Sequence, residues 1–235
     1  MKVVKVLVLD FDGTVADTMP YLTELAAGLL VERYGMGREE ARKAYSDTTG
    51  LPFVQQMEIL YPGDERNAGT VDLFEADKRE KMGRFDLFPG VRDTVASLRR
   101  AGIKVCVSSG NFEDLIVDFI ERRGLEVDLV MGFRPGFEKG RDHFDFAMRR
   151  FGSGPADTVF VGDSIKDGQR AREADIGFVG MTGLVTGEKF REEFGQIPVV
   201  SALAELPHIL GLDGPAAPAR PEDSTNRAEG RRPSE

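Results

Sequence analysis

The sequence predicts an α/β fold, a parallel sheet with helices on both faces, interrupted by a helical insert. Three observations point there. Short runs of Val, Ile and Leu recur along the chain, helical patterns lie between most of them, and one early segment has helical patterns but no strand-like run. Apolar runs without alternation suit strands covered on both faces, and repeated strand–helix–strand units build right-handed parallel sheets.

The first run, residues 3–9, leads into "DFDGTVADT". Residues 18–85 then form the insert. It contains "YLTELAAGLLVERYG", "REEARKAYS", "FVQQMEILYP" and "VDLFEADKREKMG", punctuated by Gly35, Gly50, Pro52, Pro62 and Gly63. The charge-rich "FEADKREKMGR" reads as a solvated helix face. The next helix starts near Pro89 and ends at Gly102, with Val91, Val95 and Leu98 on one side. A strand at 103–107 precedes a helix whose apolar stripe is Phe112, Leu115, Ile116, Phe119 and Ile120, stopped by Gly124. Further strands are expected at 127–131, 158–162, 176–181 and 197–200. Residues 1–17 and 86–212 thus form the core and 18–85 the insert. Residues 213–235, rich in Pro, Ala, Ser and charge, bury too little to fold and are expected to be disordered.

Composition narrows the function. The 235 residues suffice for one large domain or a core with an insert. Hydrophobic content of 41% and charged content of 30% are those of a soluble globular protein. A net charge of −9 argues against a duplex nucleic-acid partner or an anionic membrane surface. The single Cys106 rules out an intrachain disulfide and a multi-cysteine zinc site, and in "IKVCVSS" it reads as a small buried hydrophobe. No signal-peptide pattern is visible, and no apolar run approaches the roughly 20 residues of a membrane helix. A cytoplasmic protein is expected. Its oligomeric state, monomer or dimer, is not legible.

Ligands of open parallel sheets bind beyond the carboxyl ends of the strands. Three predicted strand ends carry polar groups suited to chemistry: Asp10 and Asp12; Ser108, Ser109 and Gly110; and Asp163 with Asp167. Crowded carboxylates repel one another unless a cation lies among them. A few oxygen ligands suit Mg²⁺, which often bridges to a substrate phosphate. Hydroxyl and backbone N–H groups opening a helix at Ser108–Gly110 suit the phosphate itself. One carboxylate can attack phosphorus while its neighbour serves as acid and base. An aspartate pair after a strand is otherwise a cap or a turn. Here the agreement of the other strand ends favours chemistry.

"DFDGTVADT" resembles the first motif, DxDGT, of the haloacid dehalogenase-like phosphohydrolases. "VCVSSGN" resembles their second motif, and "VFVGDSIKD" their fourth, in the GDxxxD form. The likeness extends over the whole chain except the tail, most loosely in the insert. It implies a Rossmann-like core with a helical C1 cap and a Mg²⁺-dependent phosphatase acting on a small phosphorylated metabolite, in the phosphoglycolate phosphatase-like subgroup. Asp10 is implied as the nucleophile that forms an aspartyl-phosphate, and Asp12 as the acid and base. Ser108 is implied as a phosphoryl ligand. Asp163, the Asp10 side chain and the Asp12 carbonyl would ligate the metal, supported by Asp167 directly or through water. The family's third-motif lysine is usually followed by proline; "GFEKGRDHF" departs from that, and Lys139 is the best match, with Lys166 as rival. Ser109, Gly110 and Asn111 are further phosphate-binding or capping candidates. His143 and His208 fall on no motif and read as surface or packing residues.

In the family, an insert at this position closes over the substrate. Its turn "SDTTGLPF" directs attention to Arg42, Thr48 and Thr49 as cap residues that contact substrate. A sugar-phosphate mutase of the β-phosphoglucomutase type would use the same two aspartates. A catalytically silent binder on the same fold is the alternative from another class, and nothing in the acids favours it. A dehalogenase needs no carboxylate at Asp12. A phosphonate hydrolase needs a Schiff-base lysine in the cap, and no motif marks Lys43, Lys78 or Lys81 as one.

Overall fold

The computed structural model describes residues 4–212, so the expected disorder of 213–235 lies outside the described residues. Strand β1 (Val6–Asp10) leads into four helices of the insert: α1 (Met19–Tyr34), α2 (Arg38–Asp47), α3 (Phe53–Leu60) and α4 (Arg66–Lys81). The chain then returns through α5 (Val91–Arg100), β2 (Lys104–Phe112), α6 (Glu113–Arg122), β3 (Leu129–Phe133), α7 (Arg141–Phe151) and β4 (Thr158–Gly162). It ends with α8 (Ile165–Glu173), β5 (Gly177–Met181), α9 (Gly187–Phe194), β6 (Val199–Val200) and α10 (Leu206–Ile209). The six strands form one parallel sheet in the order β3-β2-β1-β4-β5-β6.

The period of two along β1 divides the core. Leu7 and Leu9 pack with Val91, Val95, Leu98, Ile116 and Phe119 on one face. Val6 and Val8 pack with Cys106, Phe144, Ala147, Phe160 and Ala171 on the other. Cys106 is fully buried, as its apolar context requires. The insert holds a third apolar cluster, including Leu22, Leu30, Tyr45, Met57 and the stacked pair Phe53 and Phe74. Its entry and exit run side by side: the Asp17 N–H donates to the Asp86 carbonyl at 3.1 Å and the Phe88 N–H to the Val15 carbonyl at 3.0 Å.

Two local expectations are corrected. Strand β2 does not stop at residue 107 but continues to Phe112, with a shift of register against β3 between Ser108 and Phe112. Ser108 to Gly110 therefore lie on a bulged strand and do not open the helix, which starts at Glu113. Phe112 accordingly leaves the buried stripe. It is 44% exposed and meets the Phe133 ring edge-on, while Leu115, Ile116, Phe119 and Ile120 are buried as the spacing requires.

Candidate active site

The site forms where β1, β2 and β4 end. Asp10 is the last residue of β1 and pairs in register with Ser108 of β2. After it the chain turns sharply, with Gly13 at φ +74°. A side chain there would be strained in that left-handed conformation and would meet the Asp163 carboxylate at 2.0 Å. The "DGT" glycine is thus what lets the first loop approach the loop after β4.

Lys139 precedes α7 and reaches back across the sheet. Its ammonium lies 2.5 Å from Asp10 Oδ1 and 2.7 Å from Asp167 Oδ1, with all three side chains buried. Burial opposes the lysine's charge, but Asp10 and Asp167 hold its pKa above the ordinary value. The third-motif assignment therefore has the expected geometry without the usual proline. Lys166, the rival, packs its Cβ side against Gly50 of the insert.

Asp10, Asp163 and Asp167 each turn a carboxylate oxygen into one buried cluster, these atoms lying within 4.8 Å of one another. Burial pushes the Asp10 pKa up to about 7, with Lys139 opposing and Asp167 reinforcing the rise. Asp163 is raised well above the carboxylate range by burial and then by Asp10. Asp167 behaves oppositely: burial is outweighed by Lys139 and Arg170, and its pKa is lowered. It also accepts from the Ser164 hydroxyl at 2.7 Å and caps α8. A hard-oxygen cluster whose members cannot all ionise alone fits a divalent cation such as Mg²⁺. All three offer it a carboxylate oxygen, and Asp10 and Asp167 also pair with the lysine.

Asp12 faces away from this cluster. Its Oδ1 accepts from the Thr18 hydroxyl at 2.6 Å and its Oδ2 from the Asn111 amide at 2.7 Å. Its side chain is therefore free of the cation cluster. The bulge in β2 is what turns Asn111 toward it. Ser109 holds that bulge by accepting from the Asn111 N–H at 3.1 Å.

The insert covers the site. A cavity of about 80 Å³ lies between the two parts, bounded by Asp10, Asp12, Gly110, Asn111, Lys139 and Asp163 below. Above it are Tyr45, Gln56, Phe74, Glu75 and Lys78. Arg170 donates to the Gly50 carbonyl at 2.6 Å, fastening the insert's turn to the core.

The cap residues expected from sequence are corrected. Arg42 turns outward onto Glu24 at 2.6 Å and onto Glu39, and it does not line the cavity. The Thr48 hydroxyl bonds the Ala44 carbonyl and Gln56, also off the cavity. Thr49 does border it, but its hydroxyl is spent on the Tyr45 carbonyl. Lys78 and Glu75 stand there instead. A signal was present: Thr70, Phe74 and Lys78 recur every fourth residue of α4, and all are buried.

Of the two roles expected for His143, surface or packing, it takes the second, against the Phe137 ring. It is fully buried, and its Nδ1 lies 2.9 Å from the Ser108 hydroxyl. Of the phosphate-binding candidates, Gly110 and Lys139 line the cavity, while the hydroxyls of Ser108 and Ser109 are engaged by His143 and Asn111.

The sequence model of the haloacid dehalogenase-like hydrolases matches residues 7–181. The chain belongs to this family. Among curated relatives, it is 28% identical to a protein of Dickeya dadantii named "Probable phosphatase IndB", over 85% of this chain and 90% of that one. It is 27% identical to a phosphoglycolate phosphatase of Synechococcus elongatus, over 75% of this chain and 82% of that one. A haloacid dehalogenase-like family hydrolase from Streptococcus pneumoniae has the same fold, with a TM-score of 0.74 at 17% identity, covering 89% of this chain and 100% of that one. The family match places the cluster of aspartates in a hydrolase. Among the described residues, no helix is long and apolar enough to cross a membrane.

Proposed function

We propose that the protein is a Mg²⁺-dependent phosphatase that cleaves a small phosphomonoester through an aspartyl-phosphate on Asp10. The observation that carries this is the pairing of a buried carboxylate with Lys139, at the end of a strand, beneath a second aspartate that is held apart from it. The Asp10 carboxylate attacks phosphorus, the P–O bond to the alcohol breaks, and Asp12 gives its proton to the departing oxygen. Asp12 then takes a proton from water, whose oxygen attacks the same phosphorus and frees Asp10 and phosphate. Thr18 and Asn111 keep the Asp12 carboxylate oriented through both steps. Lys139 neutralises Asp10 and the phosphoryl oxygens, and Ser108 joins it once its hydroxyl turns to the phosphoryl group. When bound by Asp10 and Asp163, Mg²⁺ supplies the charge neutralisation that phosphoryl transfer needs most.

The small cavity and the covering insert support a small substrate sealed from bulk water. The phosphoglycolate phosphatases among the relatives support that subgroup as the starting point. The test is phosphate release from about a hundred phosphorylated metabolites, with Mg²⁺ and with chelator, by wild type and Asp10→Asn. One preferred ester that needs both Mg²⁺ and Asp10 is the expected result. Isomerisation of a sugar phosphate without phosphate release would replace the phosphatase with a mutase.

A further inference from the structure

Arg170 joins three parts of the site. It follows Asp167 by one turn on α8, and its side chain is 10% exposed. Its Nη1 donates to the Gly50 carbonyl of the insert at 2.6 Å and lies 3.5 Å from Asp167 Oδ1. Its stem crosses Gly140, the residue after Lys139, where a methyl group would come within 3.4 Å of Arg170 Cδ. Gly140 has φ +124°, closed to the proline that usually follows this lysine, whose ring fixes φ at about −65°. The arginine therefore covers a loop that no proline stiffens. The insert reaches Asp167 by a second route as well. A methyl group on Gly50, at φ +91°, would meet Ser164 Oγ at 2.5 Å, and that hydroxyl donates to Asp167 Oδ2 at 2.7 Å. By contrast, the ion pair of Arg79 of the insert with Asp114 of the core lies at exposed side chains, where such pairs contribute little.

Two cations face one oxygen here. Lys139 Nζ is 2.7 Å from Asp167 Oδ1, and Arg170 Nη1 is 3.5 Å from the same atom. A guanidinium prefers a carboxylate to a carbonyl and can grip it with two N–H groups. The Gly50 carbonyl, at the shorter distance, holds it off. We propose that Arg170 is a positioning residue that makes the placement of Lys139 depend on closure of the insert. The inference rests on the phosphatase reading. With the insert closed, Gly50 takes the guanidinium and leaves Asp167 Oδ1 to Lys139, whose ammonium bridges Asp167 and Asp10. With the insert raised, the Gly50 carbonyl departs and the guanidinium closes on Asp167. Like charge and the loss of Oδ1 then push Lys139 onto Asp10 alone, where it covers an oxygen needed to attack phosphorus. The lysine is thus ready for a phosphoryl group only while the site is sealed from water.

The test is the sign of a double-mutant cycle on kcat for an aryl phosphate, using the full chain with Mg²⁺. Gly50→Ala keeps the insert's turn from seating on Ser164 and is expected to lower kcat by about 10- to 100-fold. Arg170→Met keeps the stem over Gly140 and removes the guanidinium. Alone it is expected to raise KM about 10-fold, the worth of one charge-assisted hydrogen bond, and to change kcat by less than about 3-fold. Added to Gly50→Ala it is expected to raise kcat about 10-fold, because no guanidinium then competes for Asp167. A merely structural arginine would make the double variant slower than Gly50→Ala. That result, or equal kcat in the two, would overturn the proposal while leaving the phosphatase standing. Gly50→Asn tolerates positive φ and carries the same Cβ, and it takes the place of Gly50→Ala if circular dichroism shows the latter to fold poorly. Amide hydrogen exchange across residues 46–53 reads the contact without any ester. Arg170→Met is expected to quicken it about 5-fold, and unchanged exchange would overturn the proposal. Absence of turnover in wild type would overturn the phosphatase reading, and exchange would still judge the contact.

Discussion

His143 offers a pH effect that can be separated from catalysis. The imidazole is fully buried and lies tilted against the Phe137 ring, with 4.4 Å between ring centres. Burial, and then the positive charge of Lys139, lower its pKa from 6.5 to about 4. The native state therefore binds this proton less readily than the unfolded chain. The resulting stability is fully present above about pH 6.5, falls as the pH drops, and is gone below about pH 4. At about 1.4 kcal/mol per pKa unit, the whole effect is about 3 kcal/mol, of which about 2 kcal/mol is lost by pH 5. Urea unfolding in chelator at pH 7.5 and pH 5, on wild type and His143→Gln, isolates it. Other groups titrate in both proteins and cancel in the difference. Wild type is expected to lose about 2 kcal/mol more than the variant across that interval. Equal losses would show that His143 is not held neutral by its surroundings and would refute the reasoning.

Other expectations concern the site directly. Asp10→Asn is expected to fold normally and lose turnover, as followed with an aryl phosphate, whereas Asp12→Ala is expected to lower kcat by about 10²- to 10⁴-fold. Lys139→Met removes the cation shared by two buried carboxylates. It is expected to destabilise the metal-free protein by about 3–5 kcal/mol, with Mg²⁺ restoring part of the loss in thermal unfolding. Gly13→Ala is expected to weaken Mg²⁺ binding in calorimetry, because the new methyl occupies the place of the Asp163 carboxylate.

Much of this was legible in the sequence because it depends on local order. The strand ends at Asp10, Ser108 and Asp163 follow from apolar runs that stop at polar residues, and the sheet joins those ends whatever the loops do. Lys139 was found by its position before a helix, although its usual proline is missing. The insert was harder. Periodicity gives a helix but not the neighbour that each face meets. Arg42 and Lys78 are both charged residues on amphipathic helices, yet one turns to Glu24 and the other into the cavity. The side-chain partners of Asn111 and His143 were not legible for a related reason. The first depends on a bulge that carries β2 five residues past its expected end. The second depends on α7 crossing beneath β2, a contact between residues 35 apart in sequence.

The central claim is that Asp10 carries the phosphoryl group. The direct measurement is acid-quenched mass spectrometry of the Asp12→Ala protein after mixing with an aryl phosphate and Mg²⁺, where an activated leaving group lets the first step proceed without its acid. The account predicts one added phosphoryl group, mapped to the peptide containing Asp10, absent with chelator and absent in the double variant with Asp10→Asn. Phosphate release by wild type with no adduct in any variant, or an adduct that persists without Asp10, would contradict it.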